Sequence, residues 1–415
     1  MKLARGRHKA SKVALEDVIN SMPDNVVTNI LDRLPIQYAV RTSILSRNWR
    51  FKWTLLTHLV LDNTFFEYLV RLGIENWYDA RNIISRLLLH LKGPITKFVL
   101  YIPNNKVLDI EDINSWIMFL SRKGVKEFTL KNMHKTTLKL STHIFSCVEL
   151  ESLTLHNCSV YSPPTFCGLP NLLCLDLYQV AFENKSFGEI ITQSPLLEIL
   201  KFNRHDRIGK IKLVEIAKLK NLQNLFLPLC MLDQTVITTF LILDLGKYLP
   251  NLQVLFLDFQ NCMFFGNFRN SVGKKQVSTS FPCLKSLTLH QIDFSFDHNL
   301  SFAVDLIWFS PKLQTLGITA KRAVTPSAFL SSELNHIRMG LAQLRNVVLQ
   351  SFQGSENEIL LVKKLLAGSP SLKKIDIHPE SSKVFSGENG RLMVATKLLK
   401  FHRASPSAEV DIYWS

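Results

Sequence analysis

Long apolar runs are absent from this 415-residue sequence. None approaches the roughly 18 consecutive apolar residues that a membrane-spanning helix needs. The opening stretch MKLARGRHKASK has no apolar segment of the kind that a secretory signal requires. Cysteine is also scarce: the seven residues are scattered without a C-x-x-C pair, which argues against zinc and redox sites. We therefore expect an intracellular protein with reduced thiols, located in the cytoplasm, the nucleus or both.

Catalytic motifs are lacking as well. Gly266 and the pair Gly273-Lys274 have the wrong spacing for a phosphate-binding loop, and no G-x-S-x-G, H-E-x-x-H or G-x-G-x-x-G occurs. The twelve histidines are dispersed, and none pairs with an acid and a nucleophile at a recognisable spacing. The sequence predicts a chain that does no bond chemistry and needs neither a metal nor a cofactor.

Charge is abundant and mostly of one sign, with a formal net charge of +15 at pH 7. The first twelve residues hold Lys and Arg but no acid, which predicts a disordered arm over 1–15, with a nuclear import signal as the weaker alternative. A nucleic-acid-binding protein would concentrate basic residues on one face, among aromatic groups. Here many of them fall at positions typical of a solvated surface, such as Lys218, Lys220, Lys363 and Lys364. Nucleic acid is therefore the less favoured partner.

A short helical segment at 16–62 is the first positive feature. Pro23 is well placed to start a helix, and five apolar residues follow at three- and four-residue steps. Pro35 breaks that helix, and a second short helix follows it. So small a segment cannot cover this many large apolar groups, which favours docking on a partner over a plain helical cap. The apolar residues of the two helices are Val26, Val27, Ile30, Leu31 and Leu34, then Val40, Ile44 and Leu45.

This segment resembles an F-box, the helical module that docks substrate receptors onto the SCF ubiquitin ligase. Met22-Pro23 stands where that family usually has Leu-Pro, and Leu34-Pro35, Ala39-Val40 and Trp49-Arg50 follow. The resemblance implies binding to a Skp-family adaptor, and through it to a cullin and a RING subunit. Trp49 could instead pack inside the module. The adaptor-binding residues that the resemblance implies are Met22, Pro23, Ile30, Leu34, Pro35, Val40, Leu45 and Trp49.

A repeated L-x-x-L-x-L pattern occupies most of the remaining chain. From Ile95 onward its units recur every 22 to 32 residues, in and just above the range of leucine-rich repeats. A proline before half of the units is expected to end the preceding helix and lead into extended chain. The pattern predicts an α/β solenoid with a curved parallel sheet, and full helices on the convex side around Ile191, Val214 and Ile237. The units are Leu56/Leu59/Leu61, Ile95/Phe98/Leu100, Val125/Phe128/Leu130, Leu150/Leu153/Leu155, Leu172/Leu175/Leu177, Leu197/Leu200/Phe202, Leu222/Leu225/Leu227, Leu252/Leu255/Leu257, Leu284/Leu287/Leu289, Leu313/Leu316/Ile318, Leu344/Val347/Leu349 and Leu372/Ile375/Ile377.

Nearly the whole chain resembles plant F-box/FBD/LRR-repeat proteins. Residues 87–98 are similar to the opening of the solenoid in that family, the stretch 344–375 to its FBD region, and Arg403-Ala404-Ser405-Pro406 to its ending. The predicted domains are a basic arm at 1–15, an F-box at 16–62, leucine-rich repeats at 63–339, and an FBD that caps the solenoid at 340–415.

Residues that alternate with the buried leucines are predicted to face the concave side of the sheet, where a target protein would bind. Phe226 and Phe256 hold the same place in consecutive repeats, so their rings are expected to stack on an open surface at the centre of that site. The alternative is that the insert 266–280 folds over both rings. The predicted surface consists of Asp176, Tyr178, Lys201, Asn203, Phe226, Phe256, Asp258, Thr288, His290 and Thr319.

Together these features predict the substrate-recognition subunit of an SCF-type E3 ubiquitin ligase, which holds a target protein near the ubiquitin-loaded enzyme. The alternative is an F-box protein that acts outside the ligase, as a scaffold or as a nucleic-acid-associated repeat protein. The sequence does not name the target, because leucine-rich surfaces place their specificity in exposed side chains that follow no code.

Overall fold

The computed structural model describes residues 19, 21–104, 110–161, 163, 166–182, 187–203, 211–232, 242–260, 281–295, 297–321, 340–380 and 387–414. The chain divides into two compact units, Met1–Val99 and Leu100–Ser415. The predicted arm at 1–15, the insert 266–280 and Ile237 lie outside the described residues.

The first unit begins with the predicted helical module. Pro23 and Pro35 are the N-cap residues of its first two helices, and the carbonyl of each accepts a backbone hydrogen bond of 3.1 Å from four residues on. The first helix ends at Leu31, ahead of Pro35, so this proline starts the second helix rather than ending the first. The elements of the unit are the helices Asp24–Leu31 and Ile36–Arg41, the 3₁₀ segments Thr42–Ile44 and Trp49–Leu55, strand β1 (His58–Leu61), and the helices Asn63–Arg71 and Trp77–His90. Strand β2 (Lys97–Ile102) crosses the division between the units.

The second unit is built on a parallel sheet whose strands follow chain order. Strands β3, β5, β7 and then β9 to β16 lie side by side, each paired in parallel with the next. The short strands β4, β6 and β8 form a separate sheet. The strands are β3 (Glu127–Asn132), β4 (Leu138–Lys139), β5 (Ser152–His156), β6 (Cys158–Val160), β7 (Cys174–Tyr178), β8 (Ala181–Phe182), β9 (Ile199–Asn203), β10 (Asn224–Pro228), β11 (Val254–Asp258), β12 (Ser286–Ile292), β13 (Thr315–Ala320), β14 (Asn346–Phe352), β15 (Lys374–Pro379) and β16 (Glu409–Ile412).

Helices and 3₁₀ segments connect these strands. Ile191 lies in the helix Phe187–Thr192 and Val214 in Leu213–Ile216, as predicted, although Val214 faces outward. The described helices are Ile110–Leu120, Phe187–Thr192, Leu213–Ile216, Leu245–Tyr248, Asp297–Trp308, Glu356–Gly368 and Gly387–Leu399, with 3₁₀ segments at Thr142–Ser146, Leu229–Met231 and Ile242–Asp244.

The repeated leucines form the core. All three pattern positions in all twelve units are at most 4% exposed. In the strands of the second unit they alternate with half-buried or exposed residues, as expected when one sheet face is packed and the other is open. The predicted fold class is therefore confirmed: a helical module followed by an α/β leucine-rich-repeat solenoid. The domain boundaries predicted within it stay predictions.

The prolines before the strands make turns rather than extended chain. The backbone N–H of Leu197 donates to the carbonyl of Ser194 at 3.2 Å, across Pro195, and Leu313 makes the same bond to Ser310 at 3.1 Å, across Pro311. A fixed φ suits proline to the second position of such a turn. The extended chain that the sequence predicts therefore begins only after a turn, four residues beyond the proline, at Ile199 and at Thr315.

Candidate functional site

The first helix of the helical module buries only part of its apolar face. Val27 and Leu31 are buried in the module, whereas Val26 and Ile30, one residue earlier in each turn, are exposed. Leu34 continues the exposed set beyond the end of the helix. Consecutive residues lie about 100° apart around a helix, so the module covers one edge of this apolar face and leaves the other edge open to solvent.

Further large apolar side chains are exposed elsewhere in the module. Ile44 is 84% and Leu45 61% exposed, and Tyr38 and Phe51 are more than half exposed. We call the set Ile30, Leu34, Tyr38, Ile44, Leu45 and Phe51 the docking surface. Three of its members, Tyr38, Ile44 and Phe51, were not among the predicted adaptor residues. The signal that could have found them is the surplus of large apolar residues in the segment, once those needed for its core are assigned.

The predicted adaptor residues divide into three groups. Ile30, Leu34, Leu45, Pro23 and Pro35 are exposed, while Met22 and Val40 are half-buried. Trp49 does not belong with them. Its side chain is 5% exposed, and its Nε1–H donates to the carbonyl of Ile19 at 3.3 Å, so it packs inside the module. This burial favours the alternative in which Trp49 packs inside the module, and the adaptor contacts of the other residues stay predictions.

The predicted concave face contains a column of stacked side chains across four neighbouring strands. The rings of Phe226 and Phe256 stack with centroids 5.5 Å apart and planes inclined by 23°. On the far side of Phe256, the His290 ring stacks at 5.8 Å and 26°. On the far side of Phe226, the Lys201 ammonium lies 5.2 Å from the ring centroid, a cation–π contact. We call these four residues the ring column.

Asp258 holds the His290 end of the column. Its Oδ1 lies 3.1 Å from His290 Nδ1 and also accepts from the backbone N–H of Gln260 at 2.9 Å. Asp258 is itself only 9% exposed, because the neighbouring strands pack closely around it. This bond fixes the orientation of the imidazole against Phe256.

Asp176 lies next to the Lys201 end. In the sheet register it is paired with Lys201, and its Oδ1 lies 3.5 Å from Asn203 Nδ2. Burial raises the pKa of the Asp176 carboxyl, and the charge of Lys201 and the contact with Asn203 oppose that effect without cancelling it. Tyr178 follows on the same strand, half-buried, with its ring 3.9 Å from that of His156.

Thr288 and Thr319 complete the predicted surface, and both are half-buried. Gly317 is paired with Thr288 on the next strand, and a Cβ atom there would lie 3.3 Å from Thr288 Oγ1. Across the paired positions Phe226, Phe256, Thr288 and Gly317, the side chains therefore become smaller from β10 to β13. The structure thus brings all the predicted concave residues onto one sheet face.

The described cysteines are free thiols. Burial raises the pKa of Cys147 and of Cys158 to about 12, so both are protonated, unreactive and part of the apolar interior. Within the ranges that the structure describes, no group of three or more His, Cys, Asp or Glu residues could hold a metal ion. Among those same residues, no helix has both the length and the apolar character to cross a membrane.

The geometry defines a class: a protein with a short helical module that exposes large apolar side chains, followed along the chain by a leucine-rich-repeat sheet. Comparison with known families agrees. The F-box domain family model matches residues 19–59, and a second model, the leucine-rich repeats of FBD-associated F-box protein At5g56370, matches residues 113–245.

Individual relatives extend the match along the chain. The F-box/FBD/LRR-repeat protein At1g13570 of Arabidopsis thaliana is 27% identical over 416 residues, which cover 95% of this chain and 98% of the relative. The putative FBD-associated F-box protein At5g56690 of the same plant is 30% identical over 190 residues, or 45% of this chain and 47% of the relative. The resemblance to the plant F-box/FBD/LRR-repeat family is therefore confirmed.

Among solved structures, the Leptospira interrogans LRR protein LIC12759 aligns with a TM-score of 0.39 and 19% identity, over 79% of this chain and 68% of that one. A similarity of that size carries no weight for fold or function.

Proposed function

We propose that this chain is the substrate-recognition subunit of an SCF-type E3 ubiquitin ligase. The F-box module binds a Skp-family adaptor, and through it a cullin and a RING subunit, while the concave face of the repeats binds a target protein. The observation that carries this proposal is the docking surface: large apolar side chains that remain in water on a module whose own core residues are buried.

The docking surface has a physical cost in the free chain. Full burial of a large apolar side chain is worth about 1.5–3 kcal/mol, so several exposed ones strongly favour association with an apolar partner. Contiguous exposed apolar patches mark interaction surfaces in soluble proteins, and all members of this set fall between residues 30 and 51 of the chain. The match to F-box domains at residues 19–59 supplies the kind of partner.

The chain's part in ubiquitin transfer is proximity rather than chemistry. An adaptor site on one module and a target site on the other raise the concentration of the target near the loaded enzyme. We propose no catalytic residue and no cofactor. We also propose that the protein acts in the cytoplasm, the nucleus or both, which the distribution of a fluorescent fusion tests.

Co-purification of the full chain with a Skp-family adaptor and a cullin tests the proposal. Two double variants remove parts of the docking surface: Ile44→Ala with Leu45→Ala, and Leu34→Ala with Pro35→Ala. The first is the sharper probe, because Pro35 also begins a helix. The matched control is Leu89→Ala, which removes a side chain that is 76% exposed in the same unit but outside the matched F-box range.

Wild-type chain and the Leu89→Ala control are expected to recover adaptor and cullin together, and both double variants to lose them. Recovery of adaptor and cullin at the wild-type level by Ile44→Ala with Leu45→Ala would show that the docking surface is not the adaptor site. Recovery of adaptor without cullin would identify an F-box protein that acts outside the ligase.

A further inference from the structure

Both faces of both phenylalanine rings in the ring column are already occupied. Phe226 lies between the Lys201 ammonium and Phe256, and Phe256 lies between Phe226 and the His290 ring. The stacking direction runs from strand to strand, so the rings stand on the sheet rather than lie flat on it. A ligand that approaches the concave face therefore meets the edges of these rings and not their faces.

Ring edges and ring faces prefer different partners. An aromatic ring carries partial negative charge on its faces and partial positive charge at its edge. The edges of Phe226 and Phe256 thus attract the face of another aromatic ring, in the edge-to-face arrangement that aromatic pairs favour. Aliphatic side chains gain only the burial of apolar area at the same place.

Net charge does not select the partner at this position. On the concave face of β9 to β12, the residues that alternate with the buried core include one cation, Lys201, and one anion, Asp258. These two charges cancel, Asp258 is engaged with His290, and the Asp176 carboxyl on β7 lies beside Lys201 at the edge of this surface. The surface between Lys201 and Asp258 is formed by the two phenylalanine rings. It continues through Thr288 to Gly317, which has no side chain. An uncharged, aromatic contact fits it better than an acidic or a basic one.

The shape of the surface favours a chain segment over a small molecule. A small-molecule site usually buries most of its ligand in a concave pocket. In the part of the chain that the structure describes, the ring column stands on a sheet face that spans four strands, roughly 14 Å at about 4.8 Å per strand. An extended segment of about four residues covers that span at about 3.3 Å per residue.

We propose that the concave face of β9 to β12 binds an extended segment of the target protein that lays an aromatic side chain across the edges of Phe226 and Phe256. This inference rests on the proposed function, because it names the chemistry of the target that the repeats would recruit. Lys201 stands at one end of the contact, where its ammonium can donate to a backbone carbonyl of the segment. Asp258 braces His290 at the other end.

The test uses the purified full chain, together with a Skp-family adaptor where the two co-purify, and a display library of short randomised peptides as the probe. Peptides selected on the wild-type complex are expected to carry Phe, Tyr or Trp at one fixed position. Replacing that residue by cyclohexylalanine, which has similar bulk but no aromatic face, is expected to weaken binding about 2- to 10-fold. Binding is expected to change little between low and moderate salt, since no net charge is involved.

Two variants of the protein locate the contact. Phe226→Leu with Phe256→Leu keeps apolar bulk but removes the ring edges, and is expected to lose the preference for the aromatic peptide over its cyclohexylalanine form. The control, Glu127→Ala with Lys131→Ala, removes exposed side chains from β3 on the same sheet face and is expected to retain it.

The proposal is overturned if no peptide is enriched, if the enriched peptides lack an aromatic residue, or if they are acidic and bind in a salt-sensitive way. It is also overturned if the leucine variant retains the aromatic preference. Adaptor binding, measured on the same preparations, separates this failure from failure of the proposed function. A chain that binds adaptor but no aromatic peptide refutes only the site, and one that binds the peptide but no adaptor refutes only the ligase role.

Discussion

The carboxylate of Asp32 accepts hydrogen bonds from Thr57 on both of its oxygens: from the backbone N–H to Oδ1 at 2.9 Å, and from the hydroxyl to Oδ2 at 2.6 Å. The N–H of His58 also donates to Oδ1, at 3.0 Å. Asp32 directly follows the first helix of the F-box module, and Thr57 directly precedes β1. One carboxylate therefore links the end of the first helix to the start of strand β1 in the same unit.

Replacing Asp32 by Ala is expected to destabilise the first unit by about 1–3 kcal/mol, because three donors lose a charged acceptor. Hydrogen exchange over residues 24–61 is the suitable measurement, since it reports this unit apart from the rest of the chain. The control is Asp24→Ala, which removes an exposed carboxylate that pairs with Lys52 and is expected to cost less than about 1 kcal/mol. Equal protection in the two variants would show that the Asp32 bonds do not hold the unit together.

Substitutions at Trp49 and at Leu45 are expected to have different effects on stability and on adaptor binding. Trp49→Ala removes a buried ring and is expected to cost about 3–5 kcal/mol, so that folding and adaptor binding fail together. Trp49→Phe keeps a buried ring and loses the hydrogen bond to Ile19, worth about 1 kcal/mol, together with part of the indole volume, and is expected to keep both. Leu45→Ala is expected to change stability by less than about 0.5 kcal/mol but to weaken adaptor binding.

Circular dichroism with adaptor pull-down on the same samples distinguishes these cases. A folded Trp49→Phe chain that fails to bind adaptor would show that the indole itself contacts the partner. Leu45→Ala that binds normally would remove Leu45 from the docking surface.

The repeat sheet could be predicted because one physical rule determines it. Leucines such as Leu225 and Leu255 recur in register, and each must be buried on the same face of a parallel sheet, so strand positions and alternation follow directly. Phe226 and Phe256 follow as neighbours for the same reason. The position of His290 against Phe256 did not follow, because in register His290 is paired with Asp258 and reaches the ring only diagonally. Contacts that depend on side-chain torsions rather than on register are not encoded in the repeat pattern.

The burial of individual residues in the F-box module was harder to predict from the sequence. Trp49 and Leu45 are both large and apolar, and both fit the family pattern, yet one completes the core and the other faces solvent. A module of this size has few buried positions, so composition alone does not say which apolar residues fill them. The packing of Trp49 against Ile19, thirty residues earlier, decides it.

Recurrent serines before the strand prolines provide a matched stability test. The hydroxyls of Ser194 and Ser310 each donate to the carbonyl four residues earlier at 2.7 Å, and both residues are fully buried. Ser369 occupies the same place and is equally buried, but its hydroxyl has no hydrogen-bond partner among the described residues. Burial of an unsatisfied hydroxyl is unfavourable, whereas a satisfied one stabilises.

Ser194→Ala and Ser310→Ala are therefore each expected to lower the free energy of unfolding by about 1 kcal/mol. Ser369→Ala is expected to leave it unchanged or to raise it. Urea unfolding of the three variants against wild type is the measurement. A loss at Ser369 as large as at the other two positions would mean that its hydroxyl is satisfied in solution.

Asp176 provides the pH-dependent prediction. Burial raises the pKa of its carboxyl above the ordinary value of 3.8. The folded chain therefore holds this proton more tightly than the unfolded chain, and stability falls as the pH rises from that value through the folded pKa. Above the folded pKa the carboxylate is charged, and the cost of burying that charge lowers the stability of the folded chain. Asp176→Asn removes the charge, and its amide oxygen can still accept from Asn203.

The Asp176→Asn chain is expected to unfold at a higher temperature than wild type at neutral pH, with a difference that shrinks as the pH falls through the folded pKa and vanishes below about 3.8, where the carboxyl is protonated in both states. Thermal melts across this pH range make the comparison. Glu127→Gln, which removes a carboxylate from an exposed position on the same sheet face, is the control and is expected to track wild type. If Asp176→Asn melts lower than wild type at neutral pH, attraction to Lys201 outweighs burial, and Asp176 stabilises the Lys201 end of the ring column as an ion pair.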